Sequence, residues 1–400
     1  MLSLRLIRRY GATSLDATTK IAGSSVPSNV QQTLKNIEEP ALIKLKKERD
    51  PDKLFHLFKA NAINRLVVEN RFAFEDTVSR LSGARRFDYI EDLLEQQKAL
   101  PQGRREGFVI RIIMLYGSAG MIKHAIDTFY NMHLYGCSRT VKSFNAALKV
   151  LSQSRDLEAL QSFLSEVPFK LDIQIDILSV NIVVKVFCDM SLLDKAYLIM
   201  TEMEKCGIKP DVYTYTTLMS AAYKMNSCEI GNGLWNLMVQ MGCLPNLATF
   251  NVRIQYLVSK GRAWQANSLL SLMWYIGILP DLVTYNLVIK GFCRARSLEM
   301  AKRVYSALHS KGYKPNLKIY QTMVHYACKE EDFDMAYKMC TDSMKKNWFP
   351  NVDTIFSLLE GLRKKGELDK AKTLFKLAGT RVPPFPMEQL DALQSILSKS

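Results

Sequence analysis

Pro210, Pro245, Pro280, Pro315 and Pro350 stand 35 residues apart each time. Four equal intervals in a chain with only 13 prolines are not accidental. A fixed period of this size marks a repeat architecture, and that constrains the fold more than any other feature. Each proline is followed by a short polar residue: Asp211, Asn246, Asp281, Asn316 and Asn351. Three residues before the prolines stand Gly207, Gly242, Gly277 and Gly312, then Asn347. Farther back come Met203, Met238, Met273 and Leu308, and after the prolines Tyr215, Phe250, Tyr285, Tyr320 and Ile355. The chemistry of this punctuation is local. Gly, with Asn as its best substitute, closes a helix in the left-handed conformation. Pro a few residues later prevents continuation, and Asp or Asn caps the next helix.

One period shows what lies between the punctuation marks. In 282–316, Tyr285, Val288, Ile289 and Phe292 fall at i, i+3, i+4 and i+7, one apolar stripe on a first helix. Leu298, Ala301, Val304, Tyr305 and Leu308 make a second stripe. The link around Arg296 and Ser297 is short, which makes the two helices antiparallel neighbours. Such a hairpin has too little core to stand alone, and stacking its neighbours buries both stripes. The pattern therefore predicts an all-α solenoid of helix-turn-helix units. Clear units occupy 177–211, 212–246, 247–281, 282–316 and 317–351, and 141–176 fits with one extra residue. Weaker units fit at 71–105, 106–140 and 352–386. Ile90, Ala125, Ala196, Ala266, Ala301, Ala336 and Ala371 share one register, where a second helix packs closely. The array thus covers 71–386 in about nine units and is most regular over 141–351. Residues 36–70 read as a helical N-terminal cap. Residues 387–400, with Leu390, Leu393, Ile396 and Leu397, read as a capping helix at the other end.

The first 15 residues contain Arg5, Arg8 and Arg9 and no acid before Asp16. Leu2, Leu4, Leu6 and Ile7 share one side of a short helix with the arginines opposite. An Arg-rich, acid-free amphipathic start followed by Ser, Thr and Ala is the pattern of an organellar transit peptide. Residues 1–35 are accordingly expected to be transit peptide and linker, with the mitochondrion as destination and the chloroplast as the alternative.

Charge and composition narrow the function classes. Lys and Arg outnumber Asp and Glu by 54 to 39, a formal charge of +15 that favours polyanionic partners. No apolar run approaches the ~20 residues of a membrane-spanning helix. None of the eight cysteines forms a C-x-x-C pair, and no histidine sits at zinc spacing beside them, so neither a metal site nor a disulfide framework is expected. Cys188, Cys293 and Cys328 share one repeat position and read as small packing residues. There is no P-loop, no G-x-S-x-G and no H-x-E with P-C-x-x-C. The chain is expected to be no enzyme and to hold no cofactor.

The units D-L-V-T-Y-N-L-V-I-K-G-F-C (281–293) and K-C-G-I-K-P-D-V-Y-T-Y-T-T-L-M (205–219) resemble the pentatricopeptide repeat family, over roughly residues 71–386. The uniform unit length is similar to its pure-repeat P class, typical of plant organelles. The resemblance implies a right-handed α-solenoid, or superhelix, of antiparallel repeats of about 35 residues. It also implies recognition of single-stranded RNA at one base per repeat. In the family, two side chains per unit set base preference: one directly after the T-Y pair of the first helix, the other the last residue of the repeat. By that resemblance the reading pairs are Asn145 with Asp176, Asn181 with Asp211, Thr216 with Asn246, Asn251 with Asp281, Asn286 with Asn316, and Gln321 with Asn351. Asn with Asp prefers uridine in the family, Thr with Asn adenine, and Asn with Asn a pyrimidine. The implied core site is near 5′-UUAUY-3′.

Family members place a wedge between bases three residues before the first reader. Leu178 and Val283 fit that role and Tyr213 offers a stacking face, whereas Lys142, Ala248 and Lys318 depart from it. Glu75 with Arg105, Ile110 with Thr140, and Phe356 with Pro386 make no recognisable pairs. Lys224, Arg294, Lys329 and Lys364 recur at one position near the end of the first helix. Stacking would align them into a stripe that tracks phosphates.

The Asn and Asp residues have a plainer reading as helix caps and turn formers. The four tryptophans, Trp235, Trp264, Trp274 and Trp348, read as helix-packing residues. The function expected is an RNA-binding adaptor in organellar RNA processing, stability or translation. Its expected partners are single-stranded RNA and RNA-processing proteins or the mitochondrial ribosome, without membrane insertion. The alternative is a protein-interaction scaffold or a subunit of the organellar ribosome.

Overall fold

A computed structural model describes residues 41–205 and 207–398. The expected transit peptide lies outside the described residues. The described residues are helical, with turns between the helices and no strand among them. By contacts the chain divides into two compact units, Met1–Ala221 and Ala222–Ser400.

In the first unit, residues 41–47 are helical, followed by Pro51–Ala60 and the short Arg65–Glu69. Then come the hairpins Arg71–Gly83 with Phe87–Ala99, Glu106–Ser118 with Ile122–Tyr130, Val141–Leu151 with Leu157–Leu171, and Ile177–Asp189 with Leu193–Lys205. In the second unit the hairpins are Leu247–Ser259 with Ala263–Tyr275, Leu282–Arg294 with Leu298–Ser310, Leu317–Lys329 with Phe333–Lys345, and Val352–Lys364 with Leu368–Ala378. Helix Cys228–Gln240 precedes them and Met387–Ser398 follows. Each first helix in these runs packs on its own second helix and on the next first helix. The eleven helices from Ile177–Asp189 to Val352–Lys364 are each 13 residues long. Their first helices start at 177, 212, 247, 282, 317 and 352, the spacing of the prolines.

Two left-handed turns punctuate each period. The turn between hairpins uses Gly207, Gly242, Gly277, Gly312 and Asn347, with φ of 60–81°. Two bonds of that turn are Ile208 N–H to Met203 C=O and Ile278 N–H to Met273 C=O, both 2.9 Å. This closure pattern satisfies carbonyls that the helix end would orphan. The turn inside the hairpin is equally regular: Arg85, Gly120, Arg155, Ser191, Asn226, Gly261, Arg296, Glu331 and Gly366 all have positive φ. Most of these carry side chains, so this turn lacks the glycine signature of the first.

The small register is fully buried: Ile90, Ala125, Ala196, Ala266, Ala301, Ala336 and Ala371 are all inaccessible. Gly231 holds that register in Cys228–Gln240, where a Cβ would stand 2.3 Å from the Tyr223 ring. Tyr215, Phe250, Tyr285, Tyr320 and Ile355 fill the matching core position of the first helices. Burying each such side chain stabilises the stack by about 1.5–3 kcal/mol. The extra residue of 141–176 lies in the second helix. Leu157–Leu171 has 15 residues, includes Pro168, and closes on Asp172 with φ of 50°.

Candidate nucleic-acid interface

The last residue of each period turns out to be the N-cap of the next first helix. Asp176, Asn246, Asp281 and Asn316 each accept a backbone N–H in the first turn. Asp211 Oδ1 accepts from Thr214 N–H at 2.9 Å in the same way. Such a cap is worth about 1 kcal/mol. The first member of each pair is the fifth residue of the preceding first helix, which brings the two together across one hairpin.

The contact is direct at three junctions. Asn145 Nδ2 donates to Asp176 Oδ1 at 3.0 Å, Asn181 Nδ2 to Asp211 Oδ1 at 3.2 Å, and Asn251 Nδ2 to Asp281 Oδ1 at 3.4 Å. A hydroxyl closes each triad. Ser179 Oγ donates to Asn145 Oδ1 at 2.6 Å, Thr214 Oγ1 to Asn181 Oδ1 at 2.6 Å, and Thr284 Oγ1 to Asn251 Oδ1 at 2.7 Å. The same hydroxyls lie 2.8–2.9 Å from the capping Oδ1 atoms. Every bond the protein makes to these three carboxylate side chains falls on Oδ1, so Oδ2 has no partner among the described residues. Each Asn keeps a second amide proton. A free acceptor and a free donor are thereby held beside each other, a complement to a nucleobase edge.

The remaining pairs are built differently. Thr216 is half-buried on Val212–Lys224, and Asn246 is an exposed cap bonded to Thr249. Asn286 Oδ1 accepts from Thr322 Oγ1 at 3.0 Å, while Asn316 caps Ile319 N–H at 3.1 Å. The bridging position of that junction holds Ile319, which has no hydroxyl to join the two. Gln321 is half-buried, and Asn351 bonds the Thr354 hydroxyl. Of the readers, Asn145 and Asn181 are the most enclosed, at 5% and 4% exposure.

Leu178, Tyr213 and Val283 are exposed at 54%, 54% and 55%. Apolar side chains so uncovered on the second residue of a helix are available to stack against a partner. Lys142, Ala248 and Lys318 occupy the same register and are also exposed.

Lys224, Arg294, Lys329 and Lys364 are exposed last residues of their first helices. Cations there also complement the helix dipole. They follow the reading position by eight residues, about 12 Å along the axis and about 80° around it. Sequence reasoning missed a nearer set. Lys149, Lys185 and Lys290 stand four residues after Asn145, Asn181 and Asn286, one turn along the same face. The spacing itself was the signal. Sequence reasoning also missed Ser179, Thr214 and Thr284: the threonine of the T-Y pair marked the register, but its role as the bridge was not read.

His325 sits in this basic neighbourhood. Partial desolvation, then Lys329 and Lys290, hold its imidazole below the usual histidine range. Burial pushes the Cys293, Cys328 and Cys340 thiols up to about 12, which makes them poor metal ligands. No cluster of metal-ligating side chains occurs among the described residues. The tryptophans pack: Trp235 meets Phe250 edge-on at 5.1 Å, Trp264 meets Phe292 at 5.2 Å, Trp274 bonds Tyr285, and Trp348 lies 6.1 Å from Tyr320.

The chain matches the PPR repeat family model over residues 175–224, 245–294 and 280–324, and a PPR repeat model over 111–137 and 213–243. It is 65% identical, over 243 residues, to a mitochondrial pentatricopeptide repeat-containing protein of Arabidopsis thaliana, covering 61% of each chain. It is 36% identical over 256 residues to a small ribosomal subunit protein of the same plant, covering 63% of this chain and 60% of that one. The crystal structure of a maize pentatricopeptide repeat protein aligns at 17% identity with a TM-score of 0.49, over 93% of this chain and 62% of its own. The chain spans about three fifths of the length of these curated relatives. The repeat models match hairpins that recur every 35 residues, and over the matched residues the chain carries pentatricopeptide repeats.

Proposed function

We propose that this chain is a P-class RNA-binding adaptor that reads single-stranded RNA one base per repeat. The observation that carries this reading is the recurring triad of Asn, Asp and hydroxyl at three junctions. A cap alone explains the Asp, but not an Asn on the neighbouring helix locked to it with one donor and one acceptor unspent. Asn145–Asp176, Asn181–Asp211 and Asn251–Asp281 would each read uridine. Thr216 with Asn246 would read adenine, Asn286 with Asn316 a pyrimidine, and Gln321 with Asn351 a base without a defined preference. The core site is then near 5′-UUAUY-3′. Leu178, Tyr213 and Val283 would separate bases, while Lys224, Arg294, Lys329 and Lys364 would meet phosphates. Repeats over 71–386 would form the binding array, with 36–70 and 387–400 as its caps. The names of relatives and the Arg-rich start both support mitochondrial residence.

The test is an unbiased RNA selection with the intact chain, followed by affinity measurement. We expect enrichment of the UUAUY core and a loss of about tenfold, ~1.4 kcal/mol, in the Asn251→Ala and Asp281→Ala variants. An unrelated core, or unchanged affinity in both variants, would refute modular reading.

A second reading is favoured by one specific finding. Three similar Arabidopsis proteins are named as small ribosomal subunit proteins. On that reading the chain is a subunit of the mitochondrial ribosome. Co-sedimentation with small subunits that survives RNase treatment of unprotected RNA would support it over the adaptor.

A further inference from the structure

Two successive second helices differ from the others. Cys228–Gln240 contains one charged residue, Glu229, and Ala263–Tyr275 contains none. By contrast, Leu298–Ser310 and Phe333–Lys345 are rich in charge. The uncharged helix nevertheless exposes large apolar side chains. Trp264 is 61% exposed, Tyr275 89%, and Leu272 and the following Ile276 about half. Trp264, Leu272 and Tyr275 fall at i, i+8 and i+11, one stripe along the helix. An exposed apolar stripe of this kind marks a protein-interaction surface.

The same helix also lends Gln265 and Leu269 to the wall of a cleft of about 260 Å³. Arg253 and Arg262 line it together with Tyr256 and Gln265. Arg253 stacks over the Trp235 ring at 4.6 Å, which fixes the guanidinium. No carboxylate lines the cleft, and neither arginine forms an ion pair among the described residues. Two guanidiniums without an ion-pair partner in one cleft fit a carboxylate donated from outside.

We infer that this face docks an amphipathic protein segment whose apolar side chains cover Trp264, Leu272, Tyr275 and Ile276, and whose Asp or Glu enters the Arg253–Arg262 cleft. RNA is the poorer fit. Arg253 lies two residues past Asn251, about 200° around the same helix, so the cleft opens away from the reading position. The adjoining helix offers no cation to follow a phosphate chain. The inference therefore stands independently of the RNA reading and adds a second face to the molecule.

The experiment is a selection of a random 16-residue peptide display library on the intact chain, with the Arg253→Gln/Arg262→Gln variant and the Trp264→Ser/Tyr275→Ser variant as counter-targets. We expect enriched peptides to combine Leu, Ile or Phe with Asp or Glu. Each variant should weaken a synthetic copy of the best peptide by about tenfold or more. Replacing its acid by the amide should do the same, while a UUAUY-containing RNA binds the variants unchanged. Trp264 and Tyr275 are exposed, so their variant keeps the test valid should the arginine variant fold poorly. No enrichment over the counter-targets, enrichment without acidic residues, or loss of RNA binding in the arginine variant would each overturn the inference.

Discussion

Residues 71–140 and residues 177–364 solve one problem in two ways. Both must tie successive helical layers together and satisfy the backbone groups left at helix ends. The early region does so with long side chains. Arg80 donates to the carbonyls of Leu45 and Glu48. Arg111 donates to those of Val68 and Asn70 while lying over the Phe74 ring at 4.4 Å. Gln97 donates to Ala62 C=O at 3.0 Å. The later region includes junctions made by Asn, Asp and a hydroxyl, such as Asn251, Asp281 and Thr284. These long side chains spend terminal N–H groups on the backbone. Short ones meet each other and leave atoms over, held in place. The reading positions follow suit: Glu75 and Ile110 in the early region, amide–carboxylate pairs in the later one. On the proposed reading, structural and recognition roles separate along the chain by side-chain length.

The largest expected break in this contrast comes from Arg111→Met. It strips two carbonyls of their donor and should cost about 2–4 kcal/mol in urea unfolding of the intact chain, with RNA base preference unchanged. Thr284→Val should cost less, about 1–2 kcal/mol, because the cap loses one of its bonds. It should, however, abolish preference at the base read by Asn251 and Asp281 in a binding screen of single-base variants. Equal loss of preference in both variants would dissolve the contrast. Ile319→Thr supplies the missing bridge between Asn286 and Asn316. Stability should move by less than about 1 kcal/mol, as lost apolar burial is offset by new hydrogen bonds. Discrimination at that base should sharpen. The smallest effect concerns His325. Its pKa is lowered in the fold by partial desolvation and by Lys329 and Lys290, against an ordinary value of 6.5. Between the two values the unfolded chain binds more protons. The stability contribution is therefore complete above about pH 6.5 and is lost as pH falls through the folded value. His325→Gln should flatten that acid limb in melts taken across pH 5–8.

The architecture was legible because its punctuation is chemical. Pro, Gly and Asn declare the turn between hairpins, and the left-handed φ at Gly207, Gly242, Gly277, Gly312 and Asn347 matches that residue choice. The turn inside the hairpin recurs as strictly but was silent. Arg296 and Glu331 adopt positive φ, a conformation costing about 1–2 kcal/mol for such residues, because packing on both sides dictates it. The bridging hydroxyls were hidden for another reason. Thr214 and Thr284 contact residues 33 positions earlier, and helical periodicity reports nothing at that range. The Arg253–Arg262 cleft was equally out of sight, since it is made by residues from three helices.

The thirty-sixth residue of 141–176 has a consequence for phase. It is absorbed entirely between Arg155 and Asp172, in a second helix. The junction that closes this unit keeps nearly the spacing of the next one, 3.0 Å for Asn145–Asp176 and 3.2 Å for Asn181–Asp211. A polymer laid along those marks meets no skipped step where the chain has gained a residue. On the proposed reading, an insertion in a second helix is in this sense frame-neutral: such a helix can change length and composition while the pairs on the first helices keep count.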